Sequence, residues 1–180
     1  MTFTDNHPSV VLVDFHDNQI GVAEKLEAHR NGGRLHRAFS IFLLNDQCQL
    51  LLQRRAPEKY HCPGMWSNSC CGHPRPGRDI VSEAELRLQV EIGVAAEIQH
   101  VGTVSYRFQL DNGLTEWELD HLFVGRYTGT VSPNREEVDA VQWISERDLY
   151  RLLREYHQSV TPWFSLIMSR FSRKVLEVKT

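Results

Sequence analysis

Short apolar runs separated by turn-forming residues follow one another along most of the chain. Runs with the length and composition of strands cover residues 10–15, 34–45, 49–54, 97–108, 116–127 and 138–144. Asp46 marks a turn between the second and third runs, and Asp111-Asn112-Gly113 marks a turn between the fourth and fifth. The pattern therefore predicts a sheet that includes two hairpins.

A repeat of three to four residues, typical of helices, replaces this pattern elsewhere. Ile80, Ala84 and Leu88 fall at that spacing, and Gly93 follows as a stop signal, so we predict a helix over residues 79–91. The other segments are interpreted as helices over 146–156 and 162–176, a short helix or irregular segment over 22–29, and mostly loop over 56–77. This order predicts an α/β or α+β fold with a mixed sheet in one domain, 1–180.

The composition narrows the class of protein. The net charge of −3 argues against general nucleic-acid binding, which usually requires a basic surface. No apolar run reaches the roughly 18 residues of a membrane span. Residues 1–8 are polar and lack the pattern of a secretion signal. The four cysteines, two of them adjacent, are expected to be reduced thiols, so we expect a cytoplasmic protein.

Two short segments carry the residues best suited to chemistry. Cys71 and His73 lie two residues apart beside Gly72 and Pro74, so both can point the same way from an extended segment. Glu116 and Glu118 lie two apart on a predicted strand, about 7 Å from each other on one face. The alternatives are a buried thiol with a hydrogen-bonded histidine, and a solvated strand face.

Two further histidines extend the candidate metal set. His29 and His36 would be about 10 Å apart on one straight helix, but Gly32-Gly33 lets the chain fold back and bring them together. Alone, they are more often ordinary surface or core histidines. Three histidines and two glutamates offer nitrogen and oxygen donors that suit Mn²⁺, Fe²⁺ or Zn²⁺. A structural zinc site is the alternative, although the usual paired cysteine spacing is absent; its ligands would be Cys62, Cys70, Cys71 and His73.

Basic residues in three segments are either surface charges or a grip for a diphosphate through charge-assisted hydrogen bonds; they are Lys25, Arg54, Arg55, Lys59 and Arg87. Glu91 could hold Mg²⁺ against such a diphosphate. Trp163 is either a core aromatic or a pocket wall whose ring face stabilises a cation by about 2 kcal/mol. Residues 131–158 show no identifiable chemistry, and residues 134–137 are interpreted as a polar loop.

Taken together, these segments resemble type 1 isopentenyl-diphosphate Δ-isomerase, a branch of the Nudix superfamily. The resemblance runs from about residue 24 to 165. It rests on Glu24-Lys25 and His29, residues 34–40, Gln53-Arg54-Arg55-Ala56 with Lys59, residues 63–74, Glu116-Trp117-Glu118, and Thr161-Pro162-Trp163. It implies a Nudix-like mixed β-sheet sandwiched between helices in a single compact domain.

The resemblance also implies an activity and its cofactors. The reaction is the 1,3-allylic proton shift between isopentenyl and dimethylallyl diphosphate, through a carbocation-like intermediate. One divalent metal, Mn²⁺, Zn²⁺ or Fe²⁺, would be bound by His29, His36, His73, Glu116 and Glu118. Mg²⁺ on the diphosphate would be held by Glu91 and the backbone carbonyl of Cys71. The phosphates would be gripped by Lys25, Arg55, Lys59 and Arg87. The partner is thus a small prenyl diphosphate, and the protein a monomer or homodimer.

Four residues would act on the alkene. Cys71 and Glu116 would exchange protons with its opposite faces, Tyr106 would assist Glu116, and Trp163 would stabilise the cation. A thiol with a reference pKa near 8.5 can serve as acid or base. Either direction is open, and we favour Glu116 with Tyr106 as acid and Cys71 as base.

The chain departs from the wider superfamily in the Nudix box, the motif that carries the metal-binding carboxylates. Leu86-Arg87 and Val90-Glu91 stand where the box has an arginine-glutamate pair and a glutamate pair, so only Glu91 remains. This predicts poor diphosphate hydrolysis, as expected of an isomerase that keeps its diphosphate. The rival hypotheses are a Nudix diphosphate hydrolase and a zinc-stabilised binding domain.

Overall fold

The computed structural model describes residues 9–59 and 61–177, and the expectation for residues 1–8 lies outside this part of the chain. The described strands are β1 (Ser9–Val13), β2 (Gln19–Glu24), β3 (His36–Leu44), β4 (Leu50–Arg55), β5 (Trp66–Ser67), β6 (Cys70–Gly72), β7 (Ile98–Gln109), β8 (Thr115–Arg126) and β9 (Val138–Ile144). The helices are α1 (Lys25–His29), α2 (Ile80–Ile92), α3 (Glu146–Glu155) and α4 (Pro162–Leu176), with a 3₁₀ turn at His157–Ser159.

Strand β3 is the centre of a mixed sheet. It runs parallel to β8 from His36↔Glu118 to Leu44↔Arg126, and antiparallel to β1 and β6. Strands β7 and β8 form the predicted long hairpin, from Ile98↔Gly125 to Gln109↔Thr115. The fold class and the second predicted hairpin are therefore confirmed.

The first predicted hairpin is wrong beyond its turn. Strands β3 and β4 pair only at Leu44↔Leu50, after which β4 pairs with β5 and β9 instead. Ser69 lies between the two strands: its Oγ accepts from the Leu43 backbone N at 2.8 Å and donates to the Leu51 carbonyl at 2.7 Å. The segment predicted as loop thus supplies two short strands and splits the sheet.

Alternating side chains of β3 bury opposite faces of the sheet. Phe39, Ile41 and Leu43 pack in one apolar cluster with Ala84, Leu88 and Ile92 of α2. Phe42 and Leu44 pack on the other side with Leu149 of α3 and with Phe164, Ile167 and Met168 of α4. The period of two is what places successive residues on opposite faces. The sheet is therefore sandwiched between helices, as expected.

Local signals explain where the helices begin and end. Asp79 caps α2 by accepting from the Ser82 backbone N at 2.9 Å, and Gly93 ends it in the left-handed region with φ of 68°. Residues 22–29 were ambiguous in the sequence, and the structure divides them between the end of β2 and α1, which Glu24 caps. No helix within 9–59 and 61–177 has both the length and the apolar character needed to cross a membrane.

Candidate active site

The sheet register brings the candidate residues of three strands into one row. His36 of β3 pairs with Glu118 of β8, and Glu118 pairs with Tyr106 of β7. Directly paired residues place their side chains on the same face of a sheet, close enough to touch. Strand β6 runs along β3 and leads directly to His73. The site is thus built on paired strands, which hold side chains more rigidly than isolated loops do.

All five predicted ligands of the divalent metal meet in this row. Four donor atoms, from His29, His36, His73 and Glu118, lie within 4.8 Å of one another. Glu116 joins through His29, with 3.1 Å between Glu116 Oε2 and His29 Nε2. The alternative zinc set is not assembled: within the described residues no such group of donors contains a cysteine. Cys70 and Cys71 are adjacent strand residues and pack in different apolar clusters on opposite faces.

The hydrogen bonds of the histidines fit a cation at the centre. His29 Nδ1 lies 2.6 Å from the Lys25 carbonyl, and His36 Nδ1 lies 2.8 Å from the Arg34 carbonyl. A carbonyl only accepts, so both Nδ1 atoms donate and each ring turns its Nε2 inward. His36 Nε2 lies 3.2 Å from His73 Nε2, and His29 Nε2 lies 3.1 Å from Glu116 Oε2. Nitrogen and oxygen atoms that converge in this way are donors that a divalent metal can bind.

The charges of the site agree with metal binding. Burial lowers the pKa of His73 to about 4, so its ring is neutral at neutral pH. Burial and the charge of Glu118 both raise the pKa of Glu116, but hydrogen bonds from His29 and His61 outweigh them and bring it to about 2. Burial likewise opposes ionisation of Glu118, but bonds from His36 and His73 hold its pKa well below the usual value. Burial opposes protonation of His29, but the hydrogen bond and charge of Glu116 raise its pKa, so a metal bound there would displace that proton. The carboxylates and His73 are already in the forms that bind metals.

Tyr106 contacts a different carboxylate from the one expected. Its hydroxyl donates to Glu118 Oε2 at 2.5 Å, with Asp120 Oδ2 at 3.3 Å as a second acceptor. Glu116 pairs across the hairpin with Phe108. The prediction that Tyr106 assists Glu116 is therefore wrong as to the hydrogen bond, because the β7–β8 register places Tyr106 beside Glu118.

Cys71 lines the same cavity as Glu116, Glu118 and Tyr106. Burial raises the pKa of its thiol to about 12, an effect only partly offset by Arg55, whose Nη1 lies 3.9 Å from the sulfur. The resting site therefore holds a protonated thiol and ionised carboxylates. The favoured direction, with Glu116 as acid and Cys71 as base, requires the opposite protonation of both groups and stays a prediction.

The four predicted phosphate-binding cations line this cavity as well, namely Lys25, Arg55, Lys59 and Arg87. Arg54 does not, since alternation along β4 turns it to Asp139 at 2.5 Å, on the other side of the strand. Lys59 forms an ion pair with Glu137, and Arg87 Nη2 lies 3.0 Å from the same carboxylate. Glu137 is therefore part of the site, although its segment was interpreted as a simple polar loop.

Two further predicted residues have a structural contact in addition to their expected role. Glu91 is 1% exposed and binds Arg87 Nη2 and Gln53 Nε2, each at 2.8 Å. Its role toward Mg²⁺ stays a prediction. Trp163 packs in the core cluster and lines the cavity, and its ring lies 5.5 Å from the Arg55 guanidinium carbon. Trp163 is thus both a core aromatic and a wall of the cavity, and its role toward a carbocation stays a prediction.

His61 is a residue of the site that sequence reasoning missed. Its Nδ1 lies 2.6 Å from Glu116 Oε1, and its ring lies 4.5 Å from that of His29. It belongs to the segment rich in proline and glycine, where no periodicity places side chains. No pattern in the sequence links it to Glu116, 55 residues later by their numbers.

Comparison with known proteins agrees with this geometry. The NUDIX domain profile matches residues 34–164. The isopentenyl-diphosphate Delta-isomerase of Burkholderia multivorans is 43% identical over 167 residues, covering 93% of this chain and 94% of the relative. The chain belongs to the isopentenyl-diphosphate Delta-isomerase family. A second isomerase of that name, from Photorhabdus laumondii, is 42% identical over 93% of this chain and 94% of its own length.

Solved structures support the fold of this isomerase family member. A crystal structure from Deinococcus radiodurans superposes with a TM-score of 0.72 at 23% identity, covering 90% of this chain and 98% of the other. At that identity the likeness concerns the fold alone. Together with the NUDIX profile match over residues 34–164, this likeness confirms the Nudix-like architecture expected from the sequence.

Proposed function

We propose that this protein interconverts isopentenyl and dimethylallyl diphosphate by a 1,3-allylic proton shift in isoprenoid biosynthesis. The observation that carries the proposal is one cavity lined by a thiol, two carboxylates and four cationic side chains. A diphosphate needs the cations, and a proton shift needs an acid and a base. The names of the relatives point to the same reaction.

The diphosphate end of the substrate binds at the cationic wall. Arg55 and Arg87 suit bidentate contacts to phosphate oxygens, and Lys25 and Lys59 add point charges. Glu137 pairs with both Lys59 and Arg87, so a diphosphate bound there competes with this carboxylate for the two cations. Mg²⁺ with the diphosphate is assigned to Glu91 and the Cys71 carbonyl, since hard cations prefer oxygen ligands.

The alkene lies between Cys71 and the carboxylate pair. Of the two carboxylates, we assign proton exchange to Glu118, because Tyr106 donates to it at 2.5 Å and can share its proton. Glu116 is paired with Phe108 and not with Tyr106, so we assign it to the metal alone. Trp163 presents its ring to the cation that develops on the alkene, an attraction that is stronger in a desolvated site.

The second divalent ion, Mn²⁺, Zn²⁺ or Fe²⁺, is assigned to the histidine and glutamate row. When bound, it supplies positive charge that fixes Glu116 and Glu118 and lowers the proton affinity of the carboxylates. The rest of the chemistry belongs to the protein side chains. They orient the alkene, exclude water and hold the exchanging protons on Cys71 Sγ and a Glu118 oxygen.

The site also suggests where and in what form the protein works. We assign it to the cytoplasm, because all four cysteines are free thiols and Cys71 must stay reduced. We treat residues 1–180 as one catalytic domain, since strands β3, β4 and β8 each contribute side chains to both apolar clusters. The oligomeric state, a monomer or a homodimer, stays a prediction.

The test is NMR of the purified protein with isopentenyl diphosphate and Mg²⁺ in D₂O, following ¹H and ³¹P signals together. We expect dimethylallyl diphosphate that contains deuterium and keeps both phosphates. Release of phosphate or diphosphate would instead identify a hydrolase. Absence of any change in protein loaded with Mn²⁺ or Zn²⁺ would contradict the assignment of an enzyme.

A further inference from the structure

The two oxygens of Glu116 face two different histidines. Oε2 lies 3.1 Å from His29 Nε2, and Oε1 lies 2.6 Å from His61 Nδ1. Glu116 is 3% exposed and His61 is 6% exposed, so water does not compete strongly for these contacts. One carboxylate is therefore held from both sides inside the protein.

The two histidines approach Glu116 through different ring nitrogens. His29 Nδ1 is 2.6 Å from the Lys25 carbonyl, so its Nε2 is the atom directed at Glu116. His61 approaches with Nδ1 instead. Among the described residues, His29 also shares a group of candidate metal ligands with His36, His73 and Glu118, whereas His61 is grouped only with His29 and Glu116. His61 therefore lies at the edge of the donor row, on the far side of Glu116.

The backbone fixes His61 in this position. Arg55 Nε donates to the His61 carbonyl at 2.9 Å, which ties the loop to the end of β4. Cys62, the next residue, has a positive φ of 46°, a conformation that orients the chain sharply at this point. His61 thus reaches Glu116 from the cationic wall, whereas the five predicted ligands come from α1, β3, β8 and the segment after β6.

We propose that His61 is a positioning residue that holds Glu116 Oε1, so that Oε2 is presented to the divalent metal. This inference rests on the metal centre of the proposed function. Groups that hydrogen-bond a metal ligand from outside set its orientation, and their loss typically weakens metal binding about 10- to 100-fold. Because His61 is also bound to Arg55, it couples the position of the metal ligand to the phosphate-binding wall.

The experiment measures the dissociation constant of Mn²⁺ or Zn²⁺ alone, by competition with a chelator, in the full chain. Three variants separate the donor atom from the ring. His61→Asn places an amide N–H where Nδ1 stands, His61→Gln places one near Nε2, and His61→Ala removes both donors. His157→Ala, in the exposed 3₁₀ turn, is the matched control. Circular dichroism melting checks that each variant is folded.

We expect His61→Ala and His61→Gln to lose roughly 10- to 100-fold in metal affinity, while His61→Asn and His157→Ala bind as the parent does. An equal loss of metal affinity in His61→Asn and His61→Ala would overturn the proposal and indicate that His61 binds the metal directly. Unchanged affinity in folded His61→Ala would overturn it too. The D₂O assay on the parent protein is independent, so a working isomerase with unaffected variants refutes only the role of His61. A parent protein that binds neither ion refutes the metal centre and this inference together.

Discussion

Replacing Tyr106 by Phe removes one hydroxyl and keeps the ring. The ring packs against Phe108 with centroids 5.4 Å apart, so the core contact survives. The lost contact is the bond to Glu118 Oε2 at 2.5 Å, in which Tyr106 is buried and the acceptor is ionised. Hydrogen bonds to charged groups contribute about 1.5–3 kcal/mol.

The same range sets the expected effect on the rate. If Tyr106 shares a proton with Glu118 during turnover, the full contribution is lost from the transition state. Each 1.36 kcal/mol is about tenfold, so we expect kcat to fall roughly 10- to 100-fold. KM should change little, because the hydroxyl contacts Glu118 and Asp120 and not the cations that bind the diphosphate.

The assay is the initial rate of dimethylallyl diphosphate formation at saturating isopentenyl diphosphate and Mg²⁺. Tyr150→Phe is the control, since that tyrosine is 45% exposed on α3. A folded Tyr106→Phe protein whose kcat stays within about twofold of the parent would refute the pairing of Tyr106 with the reacting carboxylate. A rise in KM alone would show that the hydroxyl acts on binding instead.

Three further predictions concern the thiol and the fold. Cys71→Ala should abolish turnover without unfolding the protein, whereas Cys48→Ala, at an exposed site, should keep the parent rate; near-normal turnover of Cys71→Ala would remove the thiol from the mechanism. Iodoacetamide should label Cys48 much faster than Cys71 at pH 8, because the Cys71 pKa of about 12 keeps its thiol protonated, and peptide mass spectrometry would reveal the opposite order. Gly93→Ala should be less stable than Gly77→Ala by about 1–3 kcal/mol in urea unfolding: both have φ above 65°, but only at Gly93 would a Cβ lie 2.4 Å from the Ser132 carbonyl oxygen. Equal stabilities would show that the chain relaxes around Gly93.

The local pattern of the sequence determined most of the secondary structure. The helix over 79–91 and the hairpin around residues 111–113 were both predicted, because caps, stop signals and turn residues act over a few positions. Short motifs also drew attention to the five candidate ligands of the divalent metal, but their assignment to one metal was implied by the family resemblance. The structure brings their side chains together.

The tertiary structure alone decided which of these residues touch. Tyr106 bonds to Glu118 and not Glu116 because strand register fixes cross-strand partners, and a shift of one residue turns every side chain to the other face. Ser69 separates β3 from β4 through two hydrogen bonds that no local pattern encodes. His61 and Glu137 enter the site from loops. His61 contacts Glu116, 55 positions later in the chain, and Glu137 contacts Lys59, 78 positions earlier. Such contacts depend on how the loops pack against the folded sheet. No periodic pattern in the sequence indicates this packing.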